Sequence, residues 1–234
     1  MLAMVGMLAG VIVHAQTVDE IISKHIDAIG GKDKLGSIKT VYTEYDMEVM
    51  GNAASGVTYV VNGKGYRNEI DFGGQKIIQC LTDHDGWSVN PMQGQTSPEP
   101  TPADQVKAGQ TQLQVGGPLL DYAAKGSKVE LVGKDTLNGV AAHKIKLTTK
   151  EGTEITFLID PNTYYVLKTV IKANVNGQDV ETSMVYSKHT KTDFGFVIPF
   201  ATELTLPQGF TLSITNKKVE INKDIDMSLF NMPK

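Results

Sequence analysis

At 234 residues the chain is long enough to bury a substantial core, and all-β sandwiches and barrels of this size are routinely single domains. Lys and Arg number 22 against 26 Asp and Glu, and no basic stripe is present, which argues against nucleic acid as a partner. Arg67 is the only arginine, so dedicated bidentate phosphate recognition is disfavoured, and the single cysteine, Cys80, excludes an intrachain disulfide.

The opening stretch, MLAMVGMLAGVIVHA, is uncharged and apolar apart from His14. A membrane-spanning helix needs about 20 such residues, so this one is short. Val13-His14-Ala15 before Gln16 fits the small-residue pattern of a signal-peptidase site. Residues 1–15 are therefore expected to be an export signal, and residues 16–234 a single domain that is soluble in the periplasm after cleavage, or secreted. The usual positive n-region is missing, so the true start is either upstream of Met1 or weak. No cysteine follows the apolar run, so the chain is not expected to be a lipidated lipoprotein itself.

A short amphipathic helix comes next. Thr17 with Glu20 makes a capping-box pattern, Val18, Ile21, Ile22, Ile26 and Ile29 share one face, and Gly30-Gly31 stops it. A second helical piece is expected over Lys32 to Ile38. Thr40 to Met50 then alternates Val41, Thr43, Tyr45, Met47 and Val49 against polar neighbours, the signature of a half-buried strand. Strands follow over Gly56–Val61, Gly65–Phe72, Gln75–Thr82 and Gly86–Asn90, with hairpin turns at Asn62-Gly63 and Gly73-Gly74. Pro91 to Ala103 is rich in Pro, Gln, Gly, Ser and Thr and reads as an exposed loop. Helix is expected again over Asp104–Val115, after Pro102, and for one turn over Leu119–Ala124.

From Ser127 strands run almost without pause to Asn222. Asn138-Gly139, Glu151-Gly152, Asp160-Pro161-Asn162, Asn176-Gly177 and Pro207-Gln208-Gly209 supply the turns. The pattern predicts a mainly β, α+β fold: a curved antiparallel sheet or incomplete β-barrel of about ten or eleven strands, with helices covering its concave face.

Catalytic templates fail. The chain has no G-x-S-x-G elbow, no H-E-x-x-H and no phosphate loop, and no histidine pair has ligand spacing. No enzyme, metal or cofactor is expected. Asp83-His84-Asp85-Gly86-Trp87 could place a histidine between two carboxylates for general-base or metal chemistry, but reads better as a hairpin turn. Cys80, inside Ile77-Ile78-Gln79-Cys80-Leu81, reads as an inert buried thiol. Arg67 could pair with a carboxylate that locks the fold or closes a lid, but reads better as lying on a solvated strand face with Glu69 and Asp71.

Several segments resemble the outer-membrane lipoprotein-sorting, LolA-like family of periplasmic proteins, in its divergent branch. They are Val18-Asp19-Glu20-Ile21-Ile22 through Gly30-Gly31, Asp85 to Gly94, Gly117-Pro118-Leu119-Leu120, Val129 to Gly133, Thr156 to Asp160 before Thr163-Tyr164, and Val219 to Asn222 through Ser228-Leu229-Phe230. The resemblance implies a half-barrel with helices across its open face, sheltering the acyl chains of a lipoprotein in the transport members. A lid-holding arginine of those members is not carried over to Arg67, whose surrounding motif does not match.

The resemblance implies a non-enzymatic periplasmic binding or carrier protein for a lipoprotein's acyl chains or a lipid-like ligand, acting as a monomer. The alternative is a module that binds or senses another envelope protein on the same fold. The residues expected to line an apolar cavity are Tyr45, Met47, Tyr59, Trp87, Met92, Leu119, Leu120, Phe157 and Ile159.

Overall fold

The computed structural model describes residues 16–175, 178–207 and 209–233. The expected signal segment, the Asn176-Gly177 turn and Gln208 lie outside the described residues.

Among the described residues α1 (Val18–Ala28) begins as its sequence dictates. Thr17 Oγ1 accepts from the Glu20 amide at 3.2 Å, and the Glu20 carboxylate accepts from the Thr17 amide at 3.1 Å. Ile21, Ile22 and Ile26 are buried beneath the helix, and α2 (Lys32–Gly36) adds Leu35. The Val197 amide donates to the Ile29 carbonyl at 3.0 Å, which pins the end of α1 to the sheet.

The strands are β1 (Thr40–Val49), β2 (Asn52–Val61), β3 (Gly65–Phe72), β4 (Gln75–Thr82), β5 (Gly86–Val89), β6 (Glu99–Pro100), β7 (Lys128–Leu137), β8 (Val140–Thr148), β9 (Glu154–Ile159), β10 (Val166–Val175), β11 (Gln178–Lys191), β12 (Val197–Thr205) and β13 (Thr211–Ile221). Among the described residues they make one antiparallel sheet of 13 strands in the order β6-β5-β4-β3-β2-β1-β13-β12-β11-β10-β9-β8-β7. The two edges, β6 and β7, do not pair, so the barrel is incomplete. The sheet departs from the expected one in two places among the first strands. β2 begins at Asn52 rather than Gly56, across a Met50-Gly51 turn in which both residues have positive φ, and the two-residue β6 interrupts the expected loop.

Residues 101–127 join one sheet edge to the other and cross the concave face. Their ordered part is α3 (Ala103–Ala108) and a 3₁₀ segment, Gly109–Leu113. The helical turn expected over Leu119–Ala124 is instead a string of turns, because positive φ at Gly116, Gly117 and Asp121 breaks helical continuity. The Gly63 amide donates to the Leu113 carbonyl at 2.8 Å and the Val115 amide to Asn62 Oδ1 at 3.1 Å, anchoring this cover to the β2–β3 turn.

The main core lies between the covers and the sheet. Ile21, Leu35, Ile38 and Leu119 meet Ile145, Leu147 and Ile159 there, each at most 2 % exposed. The convex face, opposite the covers, carries a second core, where Cys80, Trp87 and Phe230 pack together. The C-terminal 3₁₀ segment, Met227–Phe230, supplies its lid. Arg67 belongs to this lid and not to a solvated face: its side chain is 13 % exposed, lies 5.1 Å over the Trp87 ring, and donates to the Glu69 carboxylate at 2.7 Å and the Leu229 carbonyl at 2.6 Å.

Candidate functional site

An apolar cleft of about 250 Å³ opens where the end of α1 and the Gly116–Leu119 turn meet β9 to β12. Leu119 closes one side and Phe157 the floor, while Val166, Tyr186, Phe196 and Ile198 complete the wall. Its Val197, Ile198 and Pro199 lie on the part of β12 that does not pair with β13. β12 pairs with β13 only from Ala201 to Thr205, and β13 continues along β1 with a bulge near Lys217. Pro199 sits at the parting, where a missing N–H leaves no ladder bond broken, and its carbonyl accepts from Asn216 Nδ2 at 2.9 Å.

Two histidines border this apolar space, His25 from α1 and His189 from β11. Burial lowers the pKa of both, with repulsion from His189 adding to the effect on His25, so both are neutral near pH 7. Tyr164 gathers the polar ties of the cover: its hydroxyl accepts from Gln16 Nε2 at 3.1 Å and from Lys24 Nζ at 3.2 Å, and its carbonyl meets the His25 ring.

The nine sequence candidates do not converge. Leu119 and Phe157 line the cleft, and Leu120 and Ile159 belong to the same apolar core just behind it. Tyr45 and Met47 form a separate small cluster with Ala54, beyond the reach of the helical covers. Tyr59 and Trp87 lie on the convex face beneath the C-terminal lid. Met92 is 58 % exposed on a 3₁₀ turn. Sequence reasoning passed over His25, His189 and the Phe196–Pro199 segment, which come together only in the folded chain.

The Asp83-His84-Asp85 segment is a bend between β4 and β5. Thr82 Oγ1 accepts from the amides of His84 at 3.3 Å and Asp85 at 3.0 Å, and bonds the Asp85 carboxylate. The His84 side chain is 75 % exposed and its Nδ1 lies 2.7 Å from Asp83, whose hydrogen bond raises the pKa of the ring. Cys80 is fully buried, donates its thiol to the Phe230 carbonyl at 3.3 Å, and is pushed up to about 11 by burial. Among the described residues no group of three or more His, Cys, Asp or Glu could hold a metal ion, and no helix is long and apolar enough to cross a membrane.

No family model matches the chain, and no curated protein matches it in sequence. Solved structures do match in shape. A DUF1329 family protein from Desulfovibrio piger superposes with a TM-score of 0.59 at 14% identity, covering 93% of this chain and 98% of its own. A LolA superfamily protein from Nitrosomonas europaea gives 0.59 at 11% identity, covering 93% and 98%. A domain provisionally named for outer membrane lipoprotein sorting, from Vibrio parahaemolyticus, gives 0.58 at 11%, covering 91% and 95%. Over nearly its whole described length, then, the chain has the incomplete-barrel fold of the LolA-like proteins.

Proposed function

We propose that this protein is a non-enzymatic carrier or binding protein of the periplasm, whose ligand is a lipoprotein acyl chain or another lipid-like molecule held between the helical covers and the sheet. The observation that carries this reading is the apolar cleft at the parting of β12 and β13, bordered by Leu119 and Phe157 and roofed by the end of α1. Leu120 and Ile159 would form its second layer, and the fold shared with the LolA-like structures supports the class of ligand.

Size sets the mode of binding. Pockets for drug-sized ligands span about 300–1,000 Å³, so a cleft of about 250 Å³ admits part of one alkyl chain and not a whole lipid anchor. A longer chain must displace apolar cover residues. Ile21, Ile22 and Ile26 hold α1 down with roughly 1.5–3 kcal/mol each, so about 5–9 kcal/mol in all. At about 0.8 kcal/mol per buried CH₂, a chain of roughly ten methylenes offsets that cost. An acyl chain of fatty-acid length is therefore the right size to exchange with the cover.

Native mass spectrometry of the protein purified from its own host tests the reading. Co-purified lipid or acylated polypeptide is the expected result. Protein that is always empty and refuses added alkyl ligands would sink it. The alternative, an envelope-protein docking module, draws no comparable support: the open β7 edge carries Glu130, Lys134 and Asp135 and a bulge at Leu131–Gly133, features that discourage strand addition.

A further inference from the structure

The two histidines of the cleft specify what the head of the ligand carries. His25 is 6 % exposed, and its Nδ1 lies 2.8 Å from the Tyr164 carbonyl oxygen. A carbonyl only accepts, so Nδ1 holds the ring proton and Nε2 is a bare acceptor. His189 is held the other way round: Nε2 lies 3.1 Å from the Val166 carbonyl, leaving Nδ1 bare. Its ring is stacked on Tyr165 with centroids 4.7 Å apart, which fixes its plane. Neither bare nitrogen has a hydrogen-bond partner among the described residues.

The surroundings keep both rings neutral near pH 7. Burial is the main cause in each case. Lys24, on the same helix as His25, is engaged with the Tyr164 hydroxyl, and Asp160, from the β9–β10 turn, pulls the His189 pKa upward without overcoming burial. Lys188 and Lys191 flank His189 along β11, while the Gly116–Leu119 turn and Phe196–Pro199 bring no charge.

We propose that the cleft selects an alkyl chain whose head is an uncharged hydrogen-bond donor, a hydroxyl or an amide, over one ending in a carboxylate. This rests on the reading of the cleft as the ligand site. A hydroxyl donates to a bare imidazole nitrogen and satisfies it. An ionised carboxylate has no proton to give, and would lose its hydration beside two acceptors.

Displacement of the fluorescent probe 1-N-phenylnaphthylamine from the whole protein, by dodecanol or by dodecanoate, tests this. Near neutral pH the alcohol should displace the probe about tenfold more tightly than the acid. Once acidification protonates the two rings they become donors, and the preference should narrow or invert. His189→Leu should retain alkyl binding and lose most of the preference, and His189→Gln, which can still accept, should keep part of it. Dodecanoate binding as tightly as dodecanol near neutral pH overturns the proposal while leaving the ligand site standing. A preference undiminished in both His189→Leu and His25→Leu overturns the histidine assignment. Failure of both ligands to displace a bound probe overturns the ligand-site reading and the proposal with it.

Discussion

Phe230→Ala should turn an inert cysteine into a reactive one without unfolding the sheet. In the intact protein Phe230 is 3 % exposed and caps Cys80, at 0 %, and Trp87, at 3 %. Its carbonyl accepts from Trp87 Nε1 at 2.9 Å and from the Cys80 thiol. Removing the ring costs about 3–5 kcal/mol of packing, which is more than the two hydrogen bonds to its carbonyl contribute together at about 1 kcal/mol each. The lid therefore opens while the main core, which lies on the other face, stays closed. With its pKa at about 11, Cys80 is about one part in a thousand thiolate at roughly pH 8. Return to an ordinary value of about 8.5 multiplies that fraction about two hundredfold, before any gain in access. Ellman's reagent should accordingly label the variant fast and the parent slowly, with the emission of Trp87 moving to the red and the far-ultraviolet circular dichroism unchanged. Gly65→Val approaches the same contact from beneath, since a Cβ there would stand 2.7 Å from the Phe230 ring. Equal labelling rates in parent and both variants would refute the lid.

Further outcomes follow from the same contacts. Ile21→Ala, at a site with no exposure under α1, should lower stability by about 2–4 kcal/mol in urea unfolding monitored by circular dichroism. Gly56→Ala drives a Cβ to 2.3 Å from the Tyr45 ring and disturbs its 2.6 Å bond to Asn68, so a loss of about 1–3 kcal/mol is expected in the same assay. Thr17→Ala removes the capping box and should cost about 1 kcal/mol. For His25 and His189 the folded pKa lies below the unfolded value, so the unfolded state binds more protons, and stability is lost as pH falls through about 6.5. Melting temperature should drop between neutral pH and about pH 5, above the carboxylate range, and the drop should shrink in His189→Gln.

Much of this architecture is legible in residue order. The Thr17–Glu20 box and the isoleucine spacing specify α1, and turns such as Asn138-Gly139, with φ of 49° and 81°, specify hairpins. The alternation in Thr40–Val49 gives β1 and its buried face. What escapes is whatever period cannot carry. A two-residue edge such as β6 has no period at all. Arg67 looks solvated beside Glu69 and Asp71, yet the lid that covers it comes from Leu229 and Phe230, 162 residues away in sequence for the Leu229 bond. The candidate site suffers most. Tyr45, Trp87 and Phe157 are equally apolar in sequence, but faces of a sheet and ends of a strand separate them into three clusters. His25 on α1 and His189 on β11 border one cleft only through tertiary packing, which no local pattern announces.

The proposed alkyl ligand sits between α1 and the parting of β12 from β13. Quenching by a bromine-labelled long-chain alcohol tests it most directly, because quenching reaches only over contact distances. Phe196→Trp, made in a Trp87→Phe background, puts the reporter in the cleft, whereas the native Trp87 reports from the convex face. Saturable quenching of the cleft reporter, with native Trp87 emission untouched in the parent, is the predicted result. Quenching of Trp87 with none at the cleft reporter would contradict the account.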